Sequence, residues 1–187
     1  MRIISGIHKG RKIISPKNLP VRPTTDRAKE GLFNILENKI DINSITVLDL
    51  FSGTGSISFE FSSRGAKNIV SVDKSYNCIK HIKKTSTNLN LNITPIKHEV
   101  ISYLKKPYNK FNLIFADPPY EWTIDYYEKM ITLILNNEWL LPEGILIVEH
   151  NKKTKINSII QSCFSRHYGD NLFSFFKKKQ ADKPDSV

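Results

Sequence analysis

The residues best suited to chemistry are those of the segment Asp117-Pro118-Pro119-Tyr120. They follow an apolar run at 111–116 that has the length and character of a buried strand, so they stand at its carboxyl end. Each proline fixes φ and lacks an N–H group, which leaves carbonyl acceptors with a set direction. A carboxylate, a directed carbonyl and an aromatic ring together suit a planar group with an exocyclic amine. The structural alternative is a tight turn, in which Asp and Pro are common.

A glycine turn upstream forms a second candidate site. The run at 47–50 predicts a strand, which is followed by Gly53, Gly55 and a helix that begins near residue 56. Glycine can adopt positive φ and lets a ligand approach the backbone. The third glycine of the dinucleotide-binding fingerprint is replaced by Ser58, which argues against a pyrophosphate ligand. Asp49 places a carboxylate beside the turn, which favours a cationic ligand.

A third acidic residue, Asp73, ends the predicted strand at 68–73. In this position an acid can hold a ribose diol. It can equally cap the helix that follows, and both interpretations stay open.

The order of these groups resembles that of class I S-adenosylmethionine-dependent amino-group methyltransferases. The opening at 1–12 and the segment Arg22-Pro23-Thr24-Thr25-Asp26-Arg27 are similar to those of the bacterial 16S ribosomal RNA guanine-N2 methyltransferases. The likeness covers nearly the whole chain, and the segment at 22–27 separates this family from other methyltransferases with the same tetrapeptide.

The resemblance implies an α/β, Rossmann-like class I fold with a mostly parallel seven-stranded sheet, closed by a C-terminal antiparallel hairpin. It implies methylation of the guanine conventionally numbered 966 in 16S rRNA, within the small ribosomal subunit or its precursor. The implied catalytic residues are Asp117, Pro118, Pro119 and Tyr120. The implied S-adenosylmethionine site consists of Thr24, Asp49, Phe51, Ser52, Gly53, Thr54, Gly55, Asp73, Lys74, Glu99 and Val100. No metal is expected.

The same resemblance suggests roles within the site. Asp117 and the Pro118 carbonyl would accept hydrogen bonds from the guanine amine, and Tyr120 would stack on the unstacked base. Glu99 would face the adenine of the cofactor, but as an acid at the start of a helix it has an equally good structural role.

Positive charge is concentrated at the amino end. The net charge of the 187-residue chain is +10, which predicts a polyanionic partner. Residues 1–30 contain eight Lys or Arg residues against two acids. The predicted RNA-binding residues are Arg2, Lys9, Arg11, Lys12, Arg22 and Arg27. The alternative is a hairpin with ordinary surface charge, and Lys83-Lys84 and Lys105-Lys106 are interpreted as solvated helix faces.

The predicted organisation is a basic extension at 1–40, a methyltransferase domain at 41–180 and a flexible tail at 181–187. The extension would contain a hairpin of Ile3–Ser5 with Lys12–Ser15 and a helix at Asp26–Asn38 capped by Thr25. Strands are predicted near 46–51, 68–73, 93–98, 111–116, 144–149, 163–168 and 171–176. Helices are predicted near 56–64, 75–89, 99–106 and 124–137.

Other classes of protein are disfavoured by the sequence. Residues 1–8 contain no signal-peptide core, and no apolar run approaches the length of a membrane span. Cys78 and Cys163 lack metal-ligand spacing, so they are expected to be reduced thiols in a cytoplasmic protein. The protein is also expected to be a monomer. Methylation of DNA adenine N6 would normally require a further recognition domain, and protein glutamine methyltransferases usually have Asn in place of Asp117. A non-catalytic RNA-binding module is the remaining alternative.

Overall fold

The computed structural model of the chain describes residues 1–16, 25–156 and 162–178. These residues form a seven-stranded sheet of order β3-β2-β1-β4-β5-β7-β6. Strands β1 to β5 are parallel, and β7 runs antiparallel to both β5 and β6. The strands are β1 (Thr46–Leu50), β2 (Asn68–Asp73), β3 (Ile93–Lys97), β4 (Phe111–Ala116), β5 (Leu140–Asn151), β6 (Phe164–Tyr168) and β7 (Asn171–Lys177). The predicted fold class is confirmed.

Helices cover both faces of the sheet. They are α1 (Asp26–Glu37), α2 (Ser56–Ser63), α3 (Tyr76–Leu89), α4 (Val100–Tyr103) and α5 (Ile124–Asn136), with a short 3₁₀ turn at Ile42–Ser44. Successive strand residues point to opposite faces, so Val47 packs with α1, α2 and α3 while Leu48 packs with α4 and α5. A strand buried on both faces is apolar at nearly every position, which is why β1 and β4 could be predicted from their composition.

Several element boundaries differ from those predicted. Helix α4 ends at Tyr103, with Leu104 as its C-cap, rather than near 106. Pro107 further disfavours helical geometry in the residue before it. Strand β5 extends from Leu140 to Asn151, beyond the predicted 144–149, because its ends pair with Phe111 of β4 and Asn171 of β7. Thr25 caps α1 as predicted, accepting a hydrogen bond from the Ala28 N–H at 3.2 Å. The tail at 181–187 lies outside the described residues.

The predicted amino-terminal hairpin is wrong in its register. The structure pairs residues 1–3 with 10–13: Arg2 and Lys12 form an antiparallel bridge, and the Ile3 N–H donates to the Arg11 carbonyl at 3.0 Å. The reason is that the N–H groups of Ile4 and Ser5 donate to the carboxylate of Glu60 in α2, at 2.8 and 3.0 Å, instead of to a partner strand. The amino-terminal segment, residues 1–16, is therefore attached to the domain through a buried side chain.

A buried ion pair completes this attachment. Lys29 of α1 and Glu60 are 1% and 0% exposed, and the Lys29 Nζ lies 3.2 Å from the Glu60 carboxylate. Lys29 also donates to the Arg2 carbonyl, and Arg64 Nε donates to Glu60 at 2.9 Å. Burial lowers the pKa of Lys29 even though the Glu60 charge raises it. Ile3 belongs to the same hydrophobic core as α1 and α2.

No helix in the described part of the chain is long and apolar enough to cross a membrane.

We predict that Glu60→Ala lowers the free energy of unfolding by about 3–5 kcal/mol, because it leaves Lys29 buried without its counter-charge. The measurement is urea denaturation of the full chain. Glu37 is the matched control, since it pairs with the same Arg64 but its side chain is 50% exposed. Glu37→Ala should cost less than about 1 kcal/mol. Equal losses in the two variants would contradict the role given to Glu60.

Candidate active site

A cavity of about 490 Å³ opens at the carboxyl ends of the central strands. The chain leaves β1 toward β2 on one side of the sheet and returns to β4 on the other, so the strand order reverses between β1 and β4. Open α/β sheets bind ligands at such a switch point. The fold therefore places the cavity where a ligand site is expected.

The structure brings most of the predicted site residues together. The cavity is lined by Asp117, Pro118, Pro119 and Tyr120, and by Asp49, Phe51, Ser52, Gly53, Thr54, Asp73, Lys74, Glu99 and Val100. Thr24 lies outside the described residues. Gly55 does not line the cavity.

The glycine turn joins the first two strands at the cavity. Gly53 has φ +50° and donates its N–H to Asp73 Oδ2 at 2.9 Å. Phe51 also has positive φ, at 59°, which is unusual for a residue with a bulky side chain. Its ring packs perpendicular to that of Trp122, with 5.0 Å between centroids. The turn is thus held in a defined conformation beside the cavity.

Gly55 has a packing role in the structure. It is the left-handed N-cap residue of α2, with φ +79°. A Cβ atom there would lie 2.8 Å from Ile82 and 2.9 Å from Phe59, in the protein interior. The absence of a side chain therefore permits close packing of α2 and α3, and a larger side chain would disturb the fold.

Asp49 is buried at the end of β1 within a small polar network. It accepts a hydrogen bond from the Ser58 hydroxyl, which lies 2.6 Å from the hydroxyl of Ser71. Burial raises the pKa of Asp49 to about 7, although the hydrogen bond from Ser58 opposes this and the Asp73 charge adds to it. Ser58 occupies the third fingerprint position and here provides a hydroxyl for this carboxyl group.

Asp73 and Glu99 make different local contacts. Asp73 Oδ1 accepts from the Ser75 N–H at 2.7 Å, but Ser75 itself is the N-cap of α3, so the proposed capping role of Asp73 is wrong. Glu99 is the N-cap of α4 and accepts from the N–H groups of Ile101 and Ser102 at 3.0 and 2.7 Å. Burial would raise the pKa of Glu99, but these hydrogen bonds bring it below its ordinary value. Glu99 therefore has the structural role, at the start of a helix, that the sequence analysis gave as the alternative to cofactor binding.

Asp117 lies close to a second acid, Glu149, that the sequence did not single out. Burial raises the pKa of Asp117 well above its ordinary value, and the charges of Glu149 and Asp49 raise it further. Glu149 is 1% exposed near the end of β5. Glu149 directly follows the apolar run at 145–148, and this position at the end of a predicted strand could have identified it as a candidate site residue.

Asn171 connects Glu149 with Tyr120. Its amide Nδ2 donates to Glu149, and its Oδ1 accepts from the Tyr120 hydroxyl at 3.3 Å. The Tyr120 residue remains 50% exposed, so it is held at one end and accessible along its length. Asn171 could not be found from the sequence, since only the register of β7 on β5 brings it to the cavity.

The cavity is strongly acidic although the chain is basic. Six acidic residues and one lysine line it: Asp49, Asp73, Glu99, Asp117, Glu121, Glu149 and Lys74. Such a lining favours a cationic ligand over a phosphate. Within residues 1–16, 25–156 and 162–178, no group of three or more His, Cys, Asp or Glu side chains is placed to hold a metal ion.

The predicted RNA-binding residues lie elsewhere on the surface. Arg2, Lys9, Arg11, Lys12 and Arg27 are all exposed. Arg2 Nε lies 3.5 Å from Asp26, and both side chains of this pair are about half exposed. Arg22 lies outside the described residues.

Comparison with known proteins identifies the family. The profile of the family described as Conserved hypothetical protein 95 matches residues 1–177. The chain belongs to this family. The Ribosomal RNA small subunit methyltransferase D of Haemophilus influenzae is 34% identical over 157 residues, covering 81% of this chain and 79% of the relative. Its namesake in Buchnera aphidicola subsp. Baizongia pistaciae is 34% identical over 163 residues, covering 86% and 80%.

A solved structure from the same comparison supports the fold. The Escherichia coli protein yhhF superposes with a TM-score of 0.82 at 27% identity, over 97% of this chain and 99% of that one. The family resemblance drawn from the sequence and its Rossmann-like, class I methyltransferase fold are thereby confirmed.

We predict that Asp49→Asn changes the pH dependence of stability. A carboxyl group whose pKa is about 7 in the folded protein and 3.8 otherwise stabilises the fold only while protonated. The free energy of unfolding of the wild type should therefore fall, relative to Asp49→Asn, as the pH rises from about 4 to 8, by on the order of 4 kcal/mol. Denaturant unfolding without ligand at several pH values measures this. A difference independent of pH would contradict the burial of Asp49 as an acid.

Proposed function

We propose that the protein transfers a methyl group from S-adenosylmethionine to the exocyclic N2 of a guanine in 16S rRNA, at the position conventionally numbered 966, in the small ribosomal subunit or its precursor. One observation carries the proposal: the Asp117–Tyr120 segment stands at the cavity that also contains the glycine turn, Asp49 and Asp73. In this proposal the donor site and the acceptor site share one cavity. The small subunit rRNA methyltransferases among the family's relatives support the choice of substrate.

The residues of the cavity fit this cofactor. S-adenosylmethionine carries a sulfonium and an ammonium group, and the lining offers six acids against one lysine. The Asp73 carboxylate stands at the end of β2, where a ribose diol is held in related folds. Each of its oxygens accepts one backbone N–H and keeps a further lone pair for a hydroxyl donor. Phe51, Ile57 and Val100 supply apolar surface in the same cavity.

Asp117 and Pro118 would hold the acceptor amine. When bound, the cofactor supplies an electrophilic methyl group for an in-line displacement. The guanine amine is a weak nucleophile because its lone pair is delocalised into the ring. Hydrogen bonds to the Asp117 carboxylate and the Pro118 carbonyl would orient that lone pair and stabilise the positive charge that develops on nitrogen.

Proton transfer would end at Asp117. As the new N–C bond forms and the S–C bond breaks, the amine must lose a proton. Burial and the neighbouring Glu149 raise the pKa of Asp117, so its carboxylate is a better proton acceptor than an ordinary Asp. A positively charged cofactor in the acidic cavity would keep Asp117 ionised until the transfer occurs.

The target base must leave its stack to reach the cavity. Tyr120 is half exposed and anchored through Asn171, so its ring would receive the base by stacking. The exposed Arg2, Lys9, Arg11, Lys12 and Arg27, together with Arg22, would position the surrounding RNA through phosphate contacts. Thr24 would contribute to cofactor binding.

A methyl-transfer assay with labelled cofactor tests the substrate. The acceptors are assembled small subunits, naked 16S rRNA, duplex DNA and a glutamine-containing protein substrate, followed by nucleoside and amino-acid analysis. N2-methylguanosine at one position of 16S rRNA supports the proposal. N6-methyladenine in DNA or methylglutamine in protein would replace it with another amino-group methylation. Cofactor binding without transfer to any acceptor would favour the non-catalytic module.

We predict that Asp117→Asn lowers turnover by about 10²–10³-fold, because one preorganised polar contact at the reacting amine is lost. Cofactor affinity, measured by calorimetric titration, should change little. Asp125→Asn, an exposed acid in the first turn of α5, is the control and should retain wild-type turnover. A matching loss of cofactor affinity in Asp117→Asn would show that Asp117 serves the cofactor instead.

We also predict that Tyr120→Phe and Tyr120→Ala behave differently. The Phe variant keeps the ring and loses the hydroxyl that donates to Asn171, so its activity should fall only a few-fold. The Ala variant loses the stacking surface, which is worth about 1–3 kcal/mol per base. The Michaelis constant for RNA should therefore rise in Tyr120→Ala and not in Tyr120→Phe. Equal kinetics in the two variants would argue against stacking.

A further inference from the structure

A second groove lies between the amino-terminal segment and α3, outside the candidate active site. Its volume is about 580 Å³. One wall consists of Arg11, Lys12 and Ile14, and the other is the face of α3 that presents Lys80 and Lys84. The two walls come from parts of the chain that are distant in sequence, so the groove exists only in the folded protein.

The groove carries positive charge on both of its walls. Arg11, Lys12, Lys80 and Lys84 are exposed, and no acidic residue lines the groove in the described part of the chain. None of these four cations forms an ion pair with another described residue, whereas Lys29, Lys110, Lys152 and Lys177 do. Four unpaired cations facing one groove favour a polyanion. Lys84 was predicted to be part of a solvated face, but it lines this groove while its neighbour Lys83 does not.

The α3 wall has the spacing of an extended contact surface. Asn77, Lys80, Lys84 and Asn88 recur every three or four residues, which places them on one face of the helix. They span roughly 16 Å along the helix axis. Asn side chains donate hydrogen bonds to phosphate and sugar oxygens, and Ile14, which is 91% exposed, offers apolar surface between the cations. At the groove lining, the buried His81 Nε2 has no hydrogen-bond partner among the described residues.

The groove begins close to the candidate active site. Ser75 lines the cavity and Asn77, two residues further along, lines the groove. On the other wall, the amino group of Met1 donates to the Ile13 carbonyl at 3.2 Å, and the Thr54 hydroxyl lies 3.5 Å from the Met1 sulfur. A strand that follows the groove would therefore pass close to the cavity.

We propose that this groove binds the sugar–phosphate backbone of the RNA strand that carries the target base, with Lys80 and Lys84 on one side and Arg11 and Lys12 on the other. The proposal rests on the proposed function for the identity of the strand as rRNA. It adds α3 to the RNA-binding surface, and it explains why the amino-terminal segment is fixed to the domain by the buried Glu60.

The test compares three double variants of the full chain with the wild type. They are Lys80→Ala/Lys84→Ala on α3, Arg11→Ala/Lys12→Ala on the amino-terminal segment, and Lys105→Ala/Lys106→Ala as a control of equal charge loss away from the groove. The affinity for a 16S rRNA fragment is measured over a series of salt concentrations. All six side chains are exposed, so the variants should fold, which thermal unfolding and S-adenosylmethionine binding verify.

Each groove variant should lower the slope of log affinity against log salt by about 1.4 units, because two counterion-releasing contacts with a single strand are lost. The control should keep the wild-type slope. If Lys80→Ala/Lys84→Ala also keeps the wild-type slope, the groove assignment is overturned. The proposed function would still stand in that case if the wild type methylates guanine. A lowered slope in an enzyme that methylates another acceptor would support the groove as a nucleic-acid surface and reject the proposed substrate.

Discussion

The concentration of acidic side chains at one edge of the sheet is the constraint on which the site depends. Parallel strands all end at the same edge, so Asp49, Asp73 and Asp117 come together there, with Glu149 of β5 beside them. Buried carboxyl groups are costly to ionise near one another, and burial raises the pKa values of Asp49 and Asp117. A cationic cofactor would relieve this cost, and in the proposed reaction the acceptor amine would develop positive charge at the same place.

A second buried acid, Glu60, links this site to the basic surface. Its carboxylate holds Lys29 and the backbone of Ile4 and Ser5, which fixes the amino-terminal segment against α2. Gly6 belongs to the same arrangement, because a Cβ there would lie 1.8 Å from the Ser63 carbonyl oxygen. The segment forms one wall of the basic groove and contacts Thr54 of the acidic cavity through Met1. The ordered amino-terminal segment therefore borders both the acidic cavity and the basic groove.

The sequence was sufficient to predict the strands and site residues that depend on a local pattern of residue types. Apolar runs and turn residues predicted β1, β2 and β4, and strand-end position predicted that Asp49, Asp73 and Asp117 would meet. What it missed depends on contacts between distant segments. Asn171 reaches the cavity only through the β5–β7 register, and Gly55 faces Ile82 of α3 rather than the cavity. The predicted register of the amino-terminal hairpin was wrong for the same reason. The Glu60 carboxylate accepts hydrogen bonds from the backbone N–H groups of Ile4 and Ser5.

Proton release on cofactor binding tests the central claim most directly. Near pH 6.5, a carboxyl group with a pKa of about 7 is largely protonated in the free protein, and a bound cation would lower that pKa. Calorimetric titration with S-adenosylmethionine in buffers of different ionisation enthalpy counts the protons released. We expect net release by the wild type and a smaller release by Asp49→Asn. Binding without proton release, or release that is equal in the two proteins, would contradict an acidic cavity built for a cationic cofactor.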